Sequence, residues 1–461
     1  MKQTKNYLAI TLMLLISSCA IVFSQTKETA TAVPANDFLN SMGANSAIYE
    51  RGENLESTIA CTQYTGLRFI RMDHANGADV IKKLYDATGV RVSCGLGSMN
   101  SNRDFDLDLF MQNLRKMHAT GALFAVESAN EPNNWSMMYQ GEKGGGVDHT
   151  WLPMAKLQRD FYAAVKSDPA LKHYPVWSTT AGAQYDNVGL QYLVIPERAA
   201  AEGCLMPVGT IYGDYANSHN YFIHPQWPPH SNNQTWLSSE PTSLGKGECL
   251  YSNYGTTWLK GHPGYTDEEI KTLPRVTTET GTTISSQVSE RMQGLLYLSC
   301  YLAQYKQGWS YTAMYILRDR TDEDGNQTFG FFDGNYKPRL SAHYMHNLTS
   351  ILADKKSIKK PGTLNYSIAP SRPETVHELL LQKEDGTMYL VVWGEKYRRG
   401  STADDIEIVF DKAFKNISVY NPAQYDANNP EAGKKPIAEY KNAKSIKLSM
   451  LDHPYIVELK N

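Results

Sequence analysis

Short apolar runs alternate with helical patterns through most of the chain. "LRFIRMDH" (67–74) is followed by "ADVIKKLYDATG", and "VRVSCGLG" (90–97) by "DFDLDLFMQNLRKMHATG", whose apolar residues recur at helical spacing up to Gly121. "ALFAVESANEP" (122–132), "YPVWSTTAG" (174–182), "YANSHNYF" (215–222), "RVTTETG" (275–281) and "WSYTAMYIL" (309–317) read as further strands. Between and after them lie helical segments, among them the long "SSQVSERMQGLLYLSCYLAQYKQG" (285–308) and "SAHYMHNLTSILAD" (341–354). With "FLNSMGANS" (38–46) as the first strand, the pattern amounts to about eight β–α units, which predicts a (β/α)8 TIM barrel over residues 38–356. The runs are apolar rather than alternating, as parallel strands covered on both faces require. A doubly wound open sheet is the rival. Its phosphate turn is weakly represented, because "GLGSMN" (95–100) lacks the third glycine.

The period changes after about residue 356. "ETVHELLLQKEDGTMYLVVWGE" (374–395) is two alternating runs joined at Asp385–Gly386, a hairpin signature. "DDIEIVFD", "NISVYNP", "SIKLSML" and "PYIVELK" follow without a helical pattern, so residues 357–461 predict a small all-β sandwich packed on the barrel.

At the other end, "MKQTKNY" followed by "LAITLMLLISSCAIVF" predicts an export signal over residues 1–24, with Val22 and Ser24 as the small-residue cleavage signature. The apolar run is short for a membrane span. "ISSC" resembles a lipobox, which makes lipid anchoring at Cys19 the alternative to cleavage after Ser24. Residues 25–37 read as a flexible lead-in.

Composition narrows the picture further. With 461 residues, 41% of them hydrophobic, the chain can bury a large core without disulfide staples. Its 45 basic and 48 acidic residues leave a net charge of −3, which offers no field for nucleic acid or an anionic membrane. Outside Cys19 five cysteines remain, with no CxxC spacing, which fits neither a disulfide framework nor a zinc cluster. Cys204 and Cys249 flank one aromatic segment and can pair in an oxidising compartment, while Cys61, Cys94 and Cys300 read as isolated buried thiols.

In a TIM barrel the working face lies at the C-terminal ends of the strands. Glu131 ends the fourth apolar run and Glu279 the seventh, so both are expected in one mouth. Two facing carboxylates are what glycoside hydrolysis requires: one protonates the leaving oxygen, the other attacks the anomeric carbon or activates water. For each of them the plain alternative is a solvated or ion-paired loop residue.

"SANEPNN" closing strand four and "TTETG" closing strand seven resemble clan A of the glycoside hydrolases, the 4/7 superfamily of retaining β-glycosidases on TIM barrels. "FAVESANEPN" resembles that clan's strand-four pattern, with Glu127 four residues ahead of Glu131, and "SHNY" (218–221) its strand-six His-x-Tyr. "FGFFDGNYKPRLSAHYMHNL" (329–348) looks like the strand-eight exit and last helix of family 39 and its neighbours. The resemblance implies Glu131 as general acid/base and Glu279 as nucleophile, with the two carboxyl groups roughly 5–5.5 Å apart. It implies that Asn130 binds the sugar hydroxyl beside the reacting carbon, that Tyr221 holds the nucleophile, that His219 lines the same wall and that Arg71 keeps Glu279 ionised. Glu127 is expected to be structural and paired with a base such as Arg71.

Trp135, Tyr139 and Trp309 are expected as sugar platforms, and "GEKGGG" (141–146) as a mobile loop beside the site. The segment 222–264 separates strands six and seven and carries Trp227, Trp236, Tyr251, Tyr254 and Trp258. Those rings either shape a cleft or form a satellite core. Asp73 and His74 end strand two and Asp319 and Asp322 lie near the end of strand eight, all expected as loop residues. The expected partner is a carbohydrate, cut internally or trimmed from one end, and no cofactor or metal is needed for this chemistry. A metal-dependent barrel hydrolase would want an early His-x-His or an HExxH, and neither occurs. A glycan-binding protein without catalysis is the alternative from another class.

Overall fold

The computed structural model describes residues 27–48, 51–72, 75, 77–96, 104–132, 135–145, 152–180, 213–223, 231–241, 267–322, 325 and 327–461. Eight parallel strands form the barrel: β1 (Met42–Asn45), β2 (Phe69–Met72), β3 (Arg91–Cys94), β4 (Leu123–Glu127), β5 (Val176–Trp177), β6 (Ala216–Ser218), β7 (Arg275–Thr280) and β8 (Tyr311–Met314). Each pairs with the next, β8 pairs back onto β1, and a parallel bridge from Trp177 to Tyr215 joins β5 to β6 and closes the ring. Helices run outside it, fixed at their ends by local chemistry. Asn54 caps Leu55–Thr65 by accepting from Ser57 N–H, and Asp106 and Ser289 do the same for Leu107–Ala119 and Glu290–Lys306. Gly66 ends the first of these helices at φ 70°, and a Cβ there would lie 2.5 Å from Thr349 Oγ1, so only glycine fits.

The C-terminal module is all β: β9 (Thr363–Ala369), β10 (Val376–Gln382), β11 (Met388–Gly394), β12 (Asp404–Tyr420), β13 (Pro436–Met450) and β14 (Pro454–Lys460). The β10–β11 hairpin turns at Asp385–Gly386 as its sequence predicts, with Gly386 at φ 86°. The sandwich-like layer is one continuous sheet bent over its own core. The first half of β12 pairs β9 and its second half β14, with a register shift between Val409 and Phe414 where it turns. Period-two alternation then serves two cores at once. Leu380, Leu390, Val392 and Val457 face the module's interior, while Leu379, Leu381, Val391, Trp393 and Ile456 join the barrel's core. For this reason the helix Glu290–Lys306 is buried continuously from Gln293 to Gln304, with barrel on one side and sheet on the other.

Three expectations change. Residues 28–34 are not a free lead-in: Glu28–Thr31 pairs antiparallel with β9 and Val33–Pro34 parallel with β10, since "ETATAV" supplies β-branched residues to two sheet edges. The first half of "FLNSMGANS" is helical, Ala35–Asn40, opened by Pro34 and an acidic first turn, and the strand proper begins at Met42. "GEKGGG" contributes Glu142–Gly144 to a hairpin with Met137–Tyr139, closed through Gln140 and Gly141, both at positive φ. Residues 1–26, with Cys19, lie outside the described residues, as do Cys204 and Cys249; Cys61, Cys94 and Cys300 are buried free thiols. Among the described residues no helix is long and apolar enough to cross a membrane.

Candidate active site

The barrel's interior is stratified along its axis. Toward the N-terminal ends of the strands Phe69, Ala125, Trp177, Val276 and Ala313 form an apolar plug, with Tyr215 packed against it and Phe124 and Tyr311 meeting its rings edge-to-face or tilted. One inward-facing position further along, the same strands carry Arg71, Glu127, Asn217 and Thr278, all buried. Arg71 is 2% exposed and spends its whole guanidinium there. Nε and Nη2 donate to Glu127 at 3.0 and 2.8 Å, Nη2 also donates to Asn130 Oδ1 at 2.8 Å, and Nη1 donates to Glu279 Oε1 at 2.7 Å. A planar five-donor fork can serve three acceptors at fixed angles, which a lysine cannot. The bond to Asn130 Oδ1 fixes that amide so that its Nδ2 is the donor end.

Glu279 and Glu131 meet above this layer. Glu279 Oε2 accepts from Tyr221 O–H at 3.0 Å, and His219 Nδ1 lies 2.5 Å from Glu131 Oε1 and 3.4 Å from Glu279 Oε2. One imidazole nitrogen thus spans both carboxylates, and the ligand atoms of Glu131, His219 and Glu279 all lie within 4.8 Å of one another. The other nitrogen, Nε2, faces Thr278 Oγ1 at 3.2 Å, and that hydroxyl lies 3.1 Å from Glu127 Oε1 and 2.9 Å from Asn217 Oδ1. The contacts close a ring: Glu279, Arg71, Glu127, Thr278, His219 and back. Burial alone would lower the pKa of His219, but the charges of Glu279 and Glu131 and the Glu131 hydrogen bond outweigh it, so the imidazole is held above its ordinary value. Burial, reinforced by the Glu279 charge, raises Tyr221 well above the ordinary phenol and keeps it a donor.

Local backbone explains how Glu131 reaches this place. The strand-four exit is clamped by the strand-five exit. Thr179 O–H donates to Ala129 C=O at 2.6 Å, Thr180 N–H donates to the same carbonyl at 3.2 Å, and Glu131 N–H donates to Thr180 Oγ1 at 3.1 Å. Glu131 itself stands at φ 44°, a conformation a side chain with Cβ rarely takes and one that clusters at functional sites. Its side chain is 14% exposed, against 11% for Glu279, so both acids reach the mouth from largely buried positions.

The structure brings Glu131, Glu279, Asn130, His219, Tyr221 and Arg71 together. Trp135 lies past the strand-four exit and is 39% exposed, one of the few exposed large apolar rings among the described residues. Trp309 is not in the mouth. It precedes β8, at the N-terminal end of the barrel, is 1% exposed, donates from Nε1 to Ser239 C=O and lies 5.8 Å from the Arg275 guanidinium. An aromatic residue that opens a strand sits a whole strand length from one that closes it. Tyr139 is also buried, its hydroxyl tied to Asp160. Trp236 stacks on His377 at 4.0 Å in the seam with the C-terminal module. Trp227, Tyr251, Tyr254, Trp258, Asp73 and His74 lie outside the described residues. Asp319 accepts from Gly330 N–H and pairs with Arg339, and Asp322 pairs with Arg320, both as loop anchors. Sequence reasoning passed over Thr278, Asn217 and Thr180. Thr278 and Asn217 carry a usable signal, since each shares an inward face with a residue two positions along its strand.

Glu131, His219 and Glu279 are the one group among the described residues with metal-ligand spacing. A cation there would have to displace the His219 proton and would face Arg71, 2.7 Å from Glu279, so the donor set suits a proton and a sugar better than a metal.

No protein-family model and no curated protein matches this chain. Solved structures do. A family 39 glycoside hydrolase from Bacteroides cellulosilyticus WH2 superposes with a TM-score of 0.55 at 11% identity, covering 93% of this chain and 82% of its own. The family 51 arabinofuranosidase of Xanthomonas axonopodis pv. citri gives 0.52 at 11% identity over 94% and 100%, and CelM2, a bifunctional glucanase-xylanase from a metagenome library, 0.53 at 11% over 94% and 99%. At such identities the likeness establishes the architecture, and it runs through both modules: this chain has the fold of TIM-barrel glycoside hydrolases that its strand-four and strand-seven motifs resemble.

Proposed function

We propose that the protein is an exported β-glycoside hydrolase that cleaves an oligo- or polysaccharide with retention of configuration. The observation that carries the reading is the pair of carboxylates from the fourth and seventh strand ends sharing one imidazole, their facing oxygens within 4.8 Å. A separation that short suits direct attack on the sugar, since activation of a water by the second acid goes with carboxyl groups roughly 6.5–9.5 Å apart. Glu131 gives its proton to the glycosidic oxygen as that oxygen leaves C1. A Glu279 oxygen forms a bond to C1 in its place, making a glycosyl ester. A water then attacks C1, loses its proton to Glu131, and releases Glu279. Arg71 and Tyr221, each bound to one Glu279 oxygen, favour its ionised form and set its direction. The Asn130 amide, oriented by Arg71, is placed to donate to the hydroxyl beside C1. Trp135 supplies an exposed face for a further sugar unit.

Glu279→Ala tests this directly on a panel of polysaccharides and 4-nitrophenyl β-glycosides. The variant is expected to lose at least about 10³-fold in kcat on whichever substrate the wild type cleaves, as removal of a covalent nucleophile does. Hydrolysis at the original rate would show that Glu279 is not the nucleophile. Sizing of wild-type products separates the modes of action: oligosaccharides mark internal cleavage, monosaccharides alone mark end-trimming.

A further inference from the structure

The loop that carries His219 and Tyr221 is anchored from outside the barrel. After Phe222 and Ile223 the described chain resumes at Ser231 and forms a short helix, Gln234–Ser239. Gln234 Nε2 donates to Phe222 C=O, and Asn220 Nδ2 donates to Ser238 C=O at 2.5 Å. Asn220 lies between His219 and Tyr221, and its own carbonyl accepts from Thr280, the residue after Glu279, at 3.0 Å. The helix is therefore a splint along the back of the residues that hold both carboxylates.

Trp309 Nε1 and Gln307 Nε2 donate to the carbonyls of Ser239 and Trp236, while the helix's first turn is gripped by one acid of the C-terminal module. Glu395 follows β11 and is fully buried. Its Oε1 accepts from Thr235 O–H at 2.6 Å and Trp393 Nε1 at 3.0 Å. Its Oε2 accepts from the backbone N–H of Thr235 and Trp236 at 2.9 and 3.2 Å, and its carbonyl accepts from Asn233 N–H at 2.9 Å. Burial pushes the carboxyl pKa up while these donors oppose it, so the acid depends on every one of them. A neutral hydrophobic residue would fill the seam more cheaply. A four-donor carboxylate at this place fixes one orientation of one helix.

We propose that Glu395 is a positioning residue for the active site, setting His219 and Tyr221 against Glu131 and Glu279 through the helix Gln234–Ser239. The inference rests on the proposed function, and it makes the C-terminal sheet part of the catalytic apparatus rather than a passive neighbour. In Glu395→Gln an amide N–H₂ replaces one acceptor and confronts Thr235 or Trp236 N–H. Measured on the 4-nitrophenyl β-glycoside that the wild type hydrolyses fastest, kcat should fall about 10-fold or more while KM stays within about two-fold. The loss should be non-additive with Tyr221→Phe: the double variant should fall within about two-fold of the Tyr221→Phe single. Leu448→Ala, a cavity in the module's own core, controls for destabilisation and should lower Tm with kcat unchanged. If Glu395→Gln does not fold, Thr235→Val removes one of the four donors and should move kcat the same way by less. The proposal is overturned if Glu395→Gln, or Thr235→Val in its stead, lowers Tm like Leu448→Ala yet leaves kcat untouched, or if the two losses add in full. Should the wild type hydrolyse no glycoside or polysaccharide of the panel, the glycosidase reading fails instead. Hydrogen exchange over residues 219–223 then decides this inference alone, faster exchange in Glu395→Gln supporting it and unchanged exchange refuting it.

Discussion

Two regions of this molecule bury acids and histidines, and they treat them in opposite ways. In the barrel mouth His219 is held above its ordinary pKa, because two carboxylates overcome its burial, and Arg71 lies in contact with Glu127 and Glu279. In the seam between barrel and C-terminal sheet His377 stacks on Trp236 and burial pushes it down to about 3, helped by Arg372 and Lys306. His343 stacks on Tyr425 at 3.6 Å and burial pushes it down to about 4, while Glu395 is pushed up. Depth is common to both regions, so depth does not decide charge. A direct counter-charge does. The seam uses neutral rings as packing surface, and the mouth sets opposite charges in direct contact.

The comparison can be broken at its strongest point first. Arg71→Met leaves Glu127 and Glu279 buried without their cation, and should cost about 3–5 kcal/mol in urea unfolding at pH 7. The deficit should shrink as the pH is lowered and those acids take up protons. A loss below about 1 kcal/mol would mean that the mouth tolerates bare carboxylates as the seam tolerates neutral rings.

Acid sharpens the seam. His343 and His377 both have folded pKa values depressed below about 6.5, the unfolded value. Between those limits the unfolded chain binds more protons than the fold. Their contribution is therefore complete above about pH 6.5 and is lost as the pH falls toward 4 and 3. His377→Phe keeps a ring on Trp236 and removes the titration, so its Tm should decline less than that of the wild type from pH 7 to 5, by the equivalent of about 1–2 kcal/mol. Parallel declines would place a charged His377 in the fold.

The smallest effect belongs to the apolar plug beneath the mouth. Phe69→Leu conserves most of the volume and should cost about 1 kcal/mol, with kcat unchanged on the panel substrate. A drop in kcat there would show that the plug and the ionic layer are mechanically coupled.

Much of this was legible in the chain. Apolar runs with helices between them mark parallel strands buried on both faces, and their number, about eight, favours a barrel over the doubly wound sheet. The two strand-end acids follow from strand order, which fixes the end of the barrel each residue occupies, whereas Asn130, His219, Tyr221 and Arg71 came only with the resemblance to clan A, and the Arg71–Glu127 pair from the expectation that a buried acid meets a base. Trp309 was misplaced for the same reason in reverse: an aromatic residue near a strand suggested a sugar platform, but it stands at the strand's beginning. The edge pairing of Glu28–Thr31 and the grip of Glu395 on Thr235 span 332–338 and 160 residues, beyond any local period. Nothing in either segment alone records the other.

That first pairing has a consequence for biosynthesis. Among the described residues Glu28–Thr31 pairs with Thr363–Ala369 alone, so during synthesis this segment lacks that partner until the barrel and the opening of the second module have both been made. Completion of the fold therefore waits on the synthesis of β9, and a polypeptide stalled before it keeps an unpaired strand open to its neighbours.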